Sequence, residues 1–239
     1  MNTSNPLLKR EAIWTASGNA TSIMTLEGAV NKSGLLLLIC LAAAAFSWHA
    51  PEWRTLFLLA GFLGGFVVCL IGIFKPATTP LTAPLYAALE GLALGAISQM
   101  MNLRYAGIAT NAFLLTMAVL GVMLFLYATR IVRVTDRLVM GIMIATGAIA
   151  VVYLTEFVLN FFGISMPYMH DSGPIGIGIS LIIVGVAAFN LLIDFAVIES
   201  NVRQGSPKYM EWYSGMALLV TLVWLYLEIL RLLSKLRDR

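Results

Sequence analysis

Charged residues are scarce in this chain, and their scarcity excludes most soluble architectures. Only 11% of its 239 residues are Asp, Glu, Lys or Arg, whereas 60% are hydrophobic, and the mean hydropathy is +0.89. A soluble domain of this size would lack the polar surface needed to cover so much apolar sequence. The composition therefore predicts an integral membrane protein.

Histidine and cysteine are nearly missing, with two of each, and no Walker loop, GxSxG or HExxH motif is present. Cys40 and Cys69 lie in apolar runs, which favours a packing role over a disulfide or a thiolate metal site. The net charge of +3 is scattered over loops and does not indicate nucleic-acid binding. We therefore predict no enzyme activity, no resident cofactor and no nucleic-acid partner.

Seven apolar runs are each long enough to cross a bilayer as a helix. The breaks between them are short and carry turn residues or charges. We predict an all-α bundle of seven transmembrane helices over residues 33–236, a polar tail over 1–32 and a short C-terminal end over 237–239. The predicted spans are 33–50, 54–75, 82–103, 108–129, 137–162, 174–198 and 210–234.

The basic residues predict an orientation in the membrane. A cytoplasmic N-terminus would place nine of the 15 Lys and Arg residues inside and six outside. The C-terminal residues disagree with this count, since seven crossings put Arg231, Lys235, Arg237 and Arg239 outside. Either this tail breaks the positive-inside rule or the last helix is not a simple crossing.

Small residues recur at four-residue spacing in two of the predicted spans. Gly61 and Gly65 form one such row, and Gly91 and Gly95 form another. Helices in lipid associate through close backbone approach at small residues of this kind. The two rows predict helix packing.

Four carboxylic acids lie inside the predicted spans, with no Lys or Arg at comparable depth. A charged side chain near the bilayer centre costs at least about 2.5–3.5 kcal/mol, so such acids usually face a bundle interior or water and handle ions or protons. They are therefore the candidate functional residues, whereas Glu199 and Glu211 are predicted to be interfacial and solvated. The four are Glu90, Glu156, Asp194 and Glu228.

Asp194 and Glu228 stand on the two helices joined by the 199–209 loop, so they could meet in the bundle. Two carboxylates that share a low-dielectric site cannot both ionise cheaply, so the pair would bind one proton and report pH. When both are ionised they would form a weak, exchangeable Ca²⁺ site. The pair is therefore predicted to sense pH and to bind a passing cation.

Simpler structural roles exist for several of these acids. The Asp194–Glu228 contact could be a structural hydrogen bond, and Arg231, at i+3 from Glu228, could form an ordinary intrahelical ion pair with it. Glu156 could be capped by a neighbouring hydroxyl such as that of Thr155. We expect a structural role for Glu156 and keep it, with Arg231, as a secondary candidate.

Three acid-bearing blocks resemble those of the Bax inhibitor/YccA-like membrane family, and the resemblance covers the whole chain. They are LEGLALGA at 89–96, LIDF at 192–195 and LYLEILRLL at 225–233. The length and the Asn5-Pro6 opening are similar to a bacterial branch. The resemblance implies an integral protein of the bacterial inner membrane.

The same resemblance implies a fold and a function. It implies that the last helix is central among the other six, and that a Ca²⁺ leak opens and closes with pH. Asp194 and Glu228 match the two sensor acids, and Glu90 matches an acid that lines the pore. Glu228 departs from the Asp of the best-known members, so the pH midpoint does not carry over. The family's latch arginine is matched by Arg104 in position alone, at the outer end of its helix.

Three functions remain open at this point. The leading hypothesis is a pH-gated pathway permeable to Ca²⁺ and lined or gated by Glu90, Asp194 and Glu228. The second is a regulator without transport activity, whose polar tail contacts a membrane protease or another stress-response partner. The third is a proton-coupled transporter, although no inverted repeat is visible to support it.

Overall fold

The structure, a computed structural model, describes residues 23–163 and 172–238. Within these residues the chain forms seven helices that are long and apolar enough to cross a membrane, which confirms the predicted all-α membrane fold. The helices are α1 Leu26–Trp48, α2 Pro51–Phe74, α3 Thr79–Arg104, α4 Ile108–Ala128, α5 Asp136–Phe161, α6 Pro174–Arg203 and α7 Met210–Arg237.

The first helix begins earlier than its hydrophobic run suggests. Thr25 caps α1, and its side-chain oxygen accepts the backbone N–H of Gly28 at 3.0 Å. Residues 26–32, assigned to the polar tail by the sequence, therefore form the first two turns of α1. Residues 1–22 of that tail and Arg239 lie outside the described residues.

The last helix occupies the centre of the bundle. It packs against α1, α3, α4 and α6, whereas α2 lies outside against α3 and α5 lies outside against α6. Half of the most apolar segment of α7 is buried, compared with 6% of the corresponding segment in α5. The expectation of a central α7 is confirmed, with four helices around it and two in an outer position.

Helices α1 and α3 approach each other through glycine. A Cβ atom on Gly91 would lie 2.3 Å from the carbonyl oxygen of Cys40, and one on Gly95 would lie 2.1 Å from that of Ala44. The hydroxyl of Ser47 on α1 also donates to the Leu92 carbonyl at 2.8 Å. The predicted role of this glycine row in close packing is confirmed.

Helix α2 contains a π-helical segment, Ala60–Gly65, between two α-helical parts. This segment faces α3, since a Cβ atom on Gly61 would lie 2.3 Å from the Ala93 side chain. Gly65 faces the Glu90 carboxylate, and a Cβ atom there would lie 3.0 Å from its Oε2 atom. Such π segments are frequent at functional sites. The row of Gly61 and Gly65 therefore packs α2 against α3 and also leaves space for the Glu90 carboxylate.

Hydrogen bonds connect neighbouring segments at both ends of the bundle. We call the end at which α1 begins the N-terminal end; there the Met24 N–H donates to the Ser206 carbonyl at 2.8 Å. Glu211 at the start of α7 is 1% exposed and accepts hydrogen bonds from the N–H and hydroxyl of Thr25, both at 3.0 Å. The expectation that Glu211 is solvated is therefore wrong, because α1 begins directly over its carboxylate.

The opposite end of the bundle holds the end of α7. Arg237 donates to the carbonyl oxygen of Ala106, in the loop between α3 and α4, at 2.7 Å. Helix α7 therefore runs the full length of the bundle, as a simple crossing would.

Candidate functional site

Asp194 lies on α6, nine residues before the helix ends at Arg203. The side chain within hydrogen-bonding reach of its carboxylate is Thr221 of α7, whose hydroxyl is also placed to donate to the Ala217 carbonyl at 3.3 Å. The Oδ2 atom of Asp194 is buried and has no hydrogen-bond partner among the described residues. This carboxylate is therefore incompletely satisfied where it stands.

Glu228 has a complete set of partners. It is 2% exposed, and its Oε1 atom accepts a hydrogen bond from the hydroxyl of Tyr153 on α5 at 2.6 Å. Arg231 approaches both carboxylate oxygens with Nη1, at 3.2 and 3.3 Å, and also donates to the Tyr153 hydroxyl at 2.5 Å. The guanidinium carbon stands 5.1 Å from the Tyr153 ring centre. The ion pair at i+3 is thus confirmed, with a tyrosine added to it.

The two acids do not contact each other, so the predicted shared site is not formed in this structure. Thr221, which faces Asp194, lies seven residues before Glu228 on α7, and two helical turns correspond to about 10 Å. The reason is the register between the two helices. Asp194 lies near the N-terminal end of the bundle, whereas Glu228 lies 18 residues into α7.

The separation of Asp194 and Glu228 also bears on the weak Ca²⁺ site predicted between them. Among the described residues, no group of three or more His, Cys, Asp or Glu side chains gathers where it could hold a metal ion. A bound Ca²⁺ usually takes six to eight oxygen ligands, which two separated carboxylates do not supply. The two acids therefore stand at separate positions in this structure, and the weak Ca²⁺ site stays a prediction.

Glu90 lies in a different part of the bundle, between α1, α2 and α3. Its neighbours are Tyr86, Cys40 and Cys69, and the missing side chain of Gly65 leaves room for its carboxylate. Both cysteines are free, as expected for packing residues. Glu90 is half-buried, and the structure does not bring it to Asp194 or Glu228.

Arg104 is not placed to act as a latch on either acid. Its side chain is 70% exposed at the opposite end of the bundle, where it pairs with Asp238 at 3.4 Å. Tyr105 also donates to Asp238, and this hydrogen bond raises the pKa of Tyr105. The cation that holds a candidate acid is Arg231 instead.

A structural role for Glu156 stays a prediction. It is half-buried on α5, one turn beyond Tyr153. The hydroxyl of Thr155 donates to the Val151 carbonyl at 2.8 Å, which does not favour the alternative in which Thr155 caps Glu156.

Several polar residues that the sequence analysis did not single out join these acids where α5, α6 and α7 meet. The Asn190 amide of α6 donates to the Thr146 hydroxyl of α5 at 2.8 Å. Tyr153 could have been suspected, since a tyrosine one turn from an acid inside a span is unlike an interfacial anchor. We call this group the polar seam; it consists of Thr146, Tyr153, Asn190, Asp194, Thr221, Glu228 and Arg231.

Lys235 extends the polar contacts between α6 and α7 toward the opposite end. It is buried and donates to the Gly176 carbonyl at 3.1 Å and the Ser180 hydroxyl at 2.9 Å. The sequence analysis considered Lys235 only as a basic residue that seven crossings would place outside. A buried lysine in this place anchors the end of α7 to the start of α6.

Comparison with known proteins agrees with this architecture. A family model described as Bax inhibitor 1 like matches residues 5–238, nearly the whole chain. Searches of curated proteins and of solved structures found no match. The match spans all seven helices and the three acid-bearing blocks. The chain therefore belongs to the Bax inhibitor 1 like family of membrane proteins.

Proposed function

We propose that this protein forms a pH-sensitive cation leak pathway, that Ca²⁺ is among the ions it carries, and that Asp194 and Glu228 are its pH-sensing and gating residues. The observation that carries the proposal is the buried Oδ2 atom of Asp194, which lacks a hydrogen-bond partner among the described residues. An ionised carboxylate left in this state inside a membrane is costly. A proton or a passing cation would satisfy it.

In this structure the interactions of Glu228 keep the pathway closed. Arg231 neutralises its charge, and the Tyr153 hydroxyl ties it to α5. Protonation of Glu228 would remove the charge that holds Arg231 and weaken the bond that joins α7 to α5. A local charge change would then bias the bundle between two arrangements.

Two separate acids suit conduction better than one tight site. An ion must bind well enough to enter and weakly enough to leave, and several weak positions meet that need. Asp194 provides one such position, and Glu228, at a different depth along the polar seam, would provide the second when its pair with Arg231 opens. Glu90 lies outside the seam, and its predicted role in the ion pathway depends on a second route between α1, α2 and α3.

We place the protein in a bacterial inner membrane with its N-terminal end in the cytoplasm. Support comes from the basic residues described at that end of the bundle. These are Lys32, Lys75, Arg130, Arg133, Arg137, Arg203 and Lys208.

The test is Ca²⁺ uptake into proteoliposomes between pH 6 and 8. Asp194→Asn should lower the flux because it removes the incompletely satisfied charge, and Glu228→Gln should weaken the pH dependence of the flux without removing it, since Asp194 remains. Glu52→Gln is the matched control, since this acid lies exposed in the first turn of α2. Unchanged flux and an unchanged pH profile in both Asp194→Asn and Glu228→Gln would overturn the proposal.

A second candidate is a regulator that acts on a membrane protease or another membrane partner without carrying ions. Its support is the anchor between residues 23–25 and the start of α7, which couples the N-terminal extension to the helix that bears Glu228. Deletion of residues 1–22 separates the candidates, since it spares the Thr25 cap. A regulator would lose its effect on the partner, whereas a leak pathway would keep its Ca²⁺ flux.

A further inference from the structure

A cavity of about 590 Å³ opens at the N-terminal end of the bundle, apart from the polar seam. It lies between the end of α4, the loop that leads to α5 and the last turns of α6. Three arginines line it, together with apolar side chains such as Val132 and Val134. The arginines are Arg130, Arg133 and Arg203.

The charges in this cavity do not cancel. Glu199, the acid in its lining, accepts hydrogen bonds from Tyr127 and Arg203 and pairs with Arg130 at 3.5 Å. Arg133 makes no ion pair with any acid that the structure describes. Three arginines and one carboxylate leave a surplus of two positive charges facing one open space.

Arg130 stands in a backbone conformation that suits glycine. Its φ of 55° is the one positive value at a non-glycine residue among the described residues. A left-handed conformation costs a residue with a Cβ atom roughly 1–2 kcal/mol. Because an arginine at such a position is unfavourable for the fold, and because strained residues cluster at functional sites, Arg130 is a candidate binding residue.

The surroundings favour an anion that belongs to a lipid. The cavity lies at the ends of membrane-spanning helices, and a shallow, open groove of about 500 Å³ lies along the first turns of α5, which begins three residues after Arg133. Val139, Met140, Met143 and Ile144 line that groove, with Asp136 at its edge. An acyl chain fits the apolar groove, while a phosphate fits the arginines.

We propose that this cavity binds the phosphate of an anionic phospholipid headgroup, with Arg133 as its main contact. Arginine pockets between transmembrane helices bind acidic headgroups through the same combination of charge and bidentate hydrogen bonding. This site does not depend on ion conduction, so either proposal can fail without the other.

The test is lipid retention by the purified full chain in detergent, measured by native mass spectrometry with phosphatidylglycerol, phosphatidylcholine or inorganic phosphate added. Phosphatidylglycerol should bind in preference to phosphatidylcholine, and Arg133→Gln should weaken it about fivefold. Arg137→Gln is the matched control, because Arg137 is exposed one turn away and does not line the cavity. Arg133→Lys keeps the positive charge but loses the planar guanidinium that donates two hydrogen bonds at once. Its affinity for phosphatidylglycerol should therefore lie between those of the wild type and Arg133→Gln.

Arg130→Gly separates binding from folding. Because glycine relieves the backbone strain, this variant should unfold at the same or a higher temperature while it binds phosphatidylglycerol more weakly. Equal retention of both lipids, or unchanged retention in both Arg133→Gln and Arg130→Gly, would overturn the proposal. Competition by inorganic phosphate at the lipid's own concentration would also overturn it, since the ligand would then be free phosphate.

Discussion

The α1–α3 contact and the polar seam hold helices together by different means. In the first, backbones meet at Gly91 and Gly95, where even a methyl group would collide with a carbonyl oxygen. In the second, α5 is almost unburied and is joined to its neighbours by side-chain hydrogen bonds such as Tyr153–Glu228. Close backbone packing allows one arrangement, whereas side-chain bonds can exchange partners when a charge changes. The first region is a scaffold, and the second is where a gate can operate.

The largest expected effect is in the scaffold. Gly95→Ala places a methyl group 2.1 Å from the Ala44 carbonyl oxygen, so the helices must separate, at a cost of about 1–3 kcal/mol. Gly147→Ala on α5 is the control, since a Cβ atom there has no neighbour within 4 Å. Thermal unfolding in detergent should show a lower midpoint for the first variant and an equal or higher midpoint for the second. Equal midpoints would remove the distinction between the two regions.

The next effect compares the two acids. Glu228→Gln should destabilise the fold by about 1–2 kcal/mol, because Arg231 loses its partner, and the exposure of Arg231 reduces the cost below that of a fully buried pair. Asp194→Asn should leave stability unchanged or raise it, because it removes a carboxylate with an unpartnered buried oxygen. The free energy of unfolding, measured by urea titration in detergent, checks both. A loss in Asp194→Asn as large as that in Glu228→Gln would contradict the assigned surroundings.

The smallest effect compares two tyrosines. Tyr153→Phe and Tyr226→Phe each remove the hydroxyl of a half-buried tyrosine with a bond of 2.6 Å, to Glu228 in one case and Ser98 in the other. Both should lose about 0.6–1.7 kcal/mol, the usual range for hydrogen bonds between membrane helices. Ca²⁺ uptake should change in Tyr153→Phe alone, since Tyr226 joins α7 to the scaffold helix α3. A similar change in Ca²⁺ flux in both variants would contradict a gating role confined to the polar seam.

The sequence predicted the number of spans well because apolar length decides whether a helix crosses a membrane. It placed the start of α1 late because Lys32 and its polar neighbours interrupt the apolar run, although the cap at Thr25 extends the helix. The ion pair of Glu228 with Arg231 was predictable, since both stand on one helix face. The partner of Glu228 on α5 was not, because contacts between helices depend on rotation and tilt, which hydropathy does not encode.

The separation of Asp194 and Glu228 could have been found from the sequence by counting. Asp194 lies nine residues before the end of α6 and Glu228 lies 18 residues after α7 begins, so antiparallel helices place them at different depths. The short loop between the two helices favoured contact over that count. Glu211 was misassigned for another reason, because its burial depends on the docking of α1 from the far end of the sequence.

The central claim is that Asp194 titrates separately from Glu228 and its partner Arg231. Infrared difference spectroscopy of the protonated carboxyl stretch, assigned by its loss in Asp194→Asn, follows Asp194 in the membrane. The double variant Glu228→Gln with Arg231→Gln removes the ion pair without changing the net charge. We expect the midpoint of the Asp194 band to move by less than about half a pH unit, whereas a movement of more than about one unit would show a coupled pair and contradict the account.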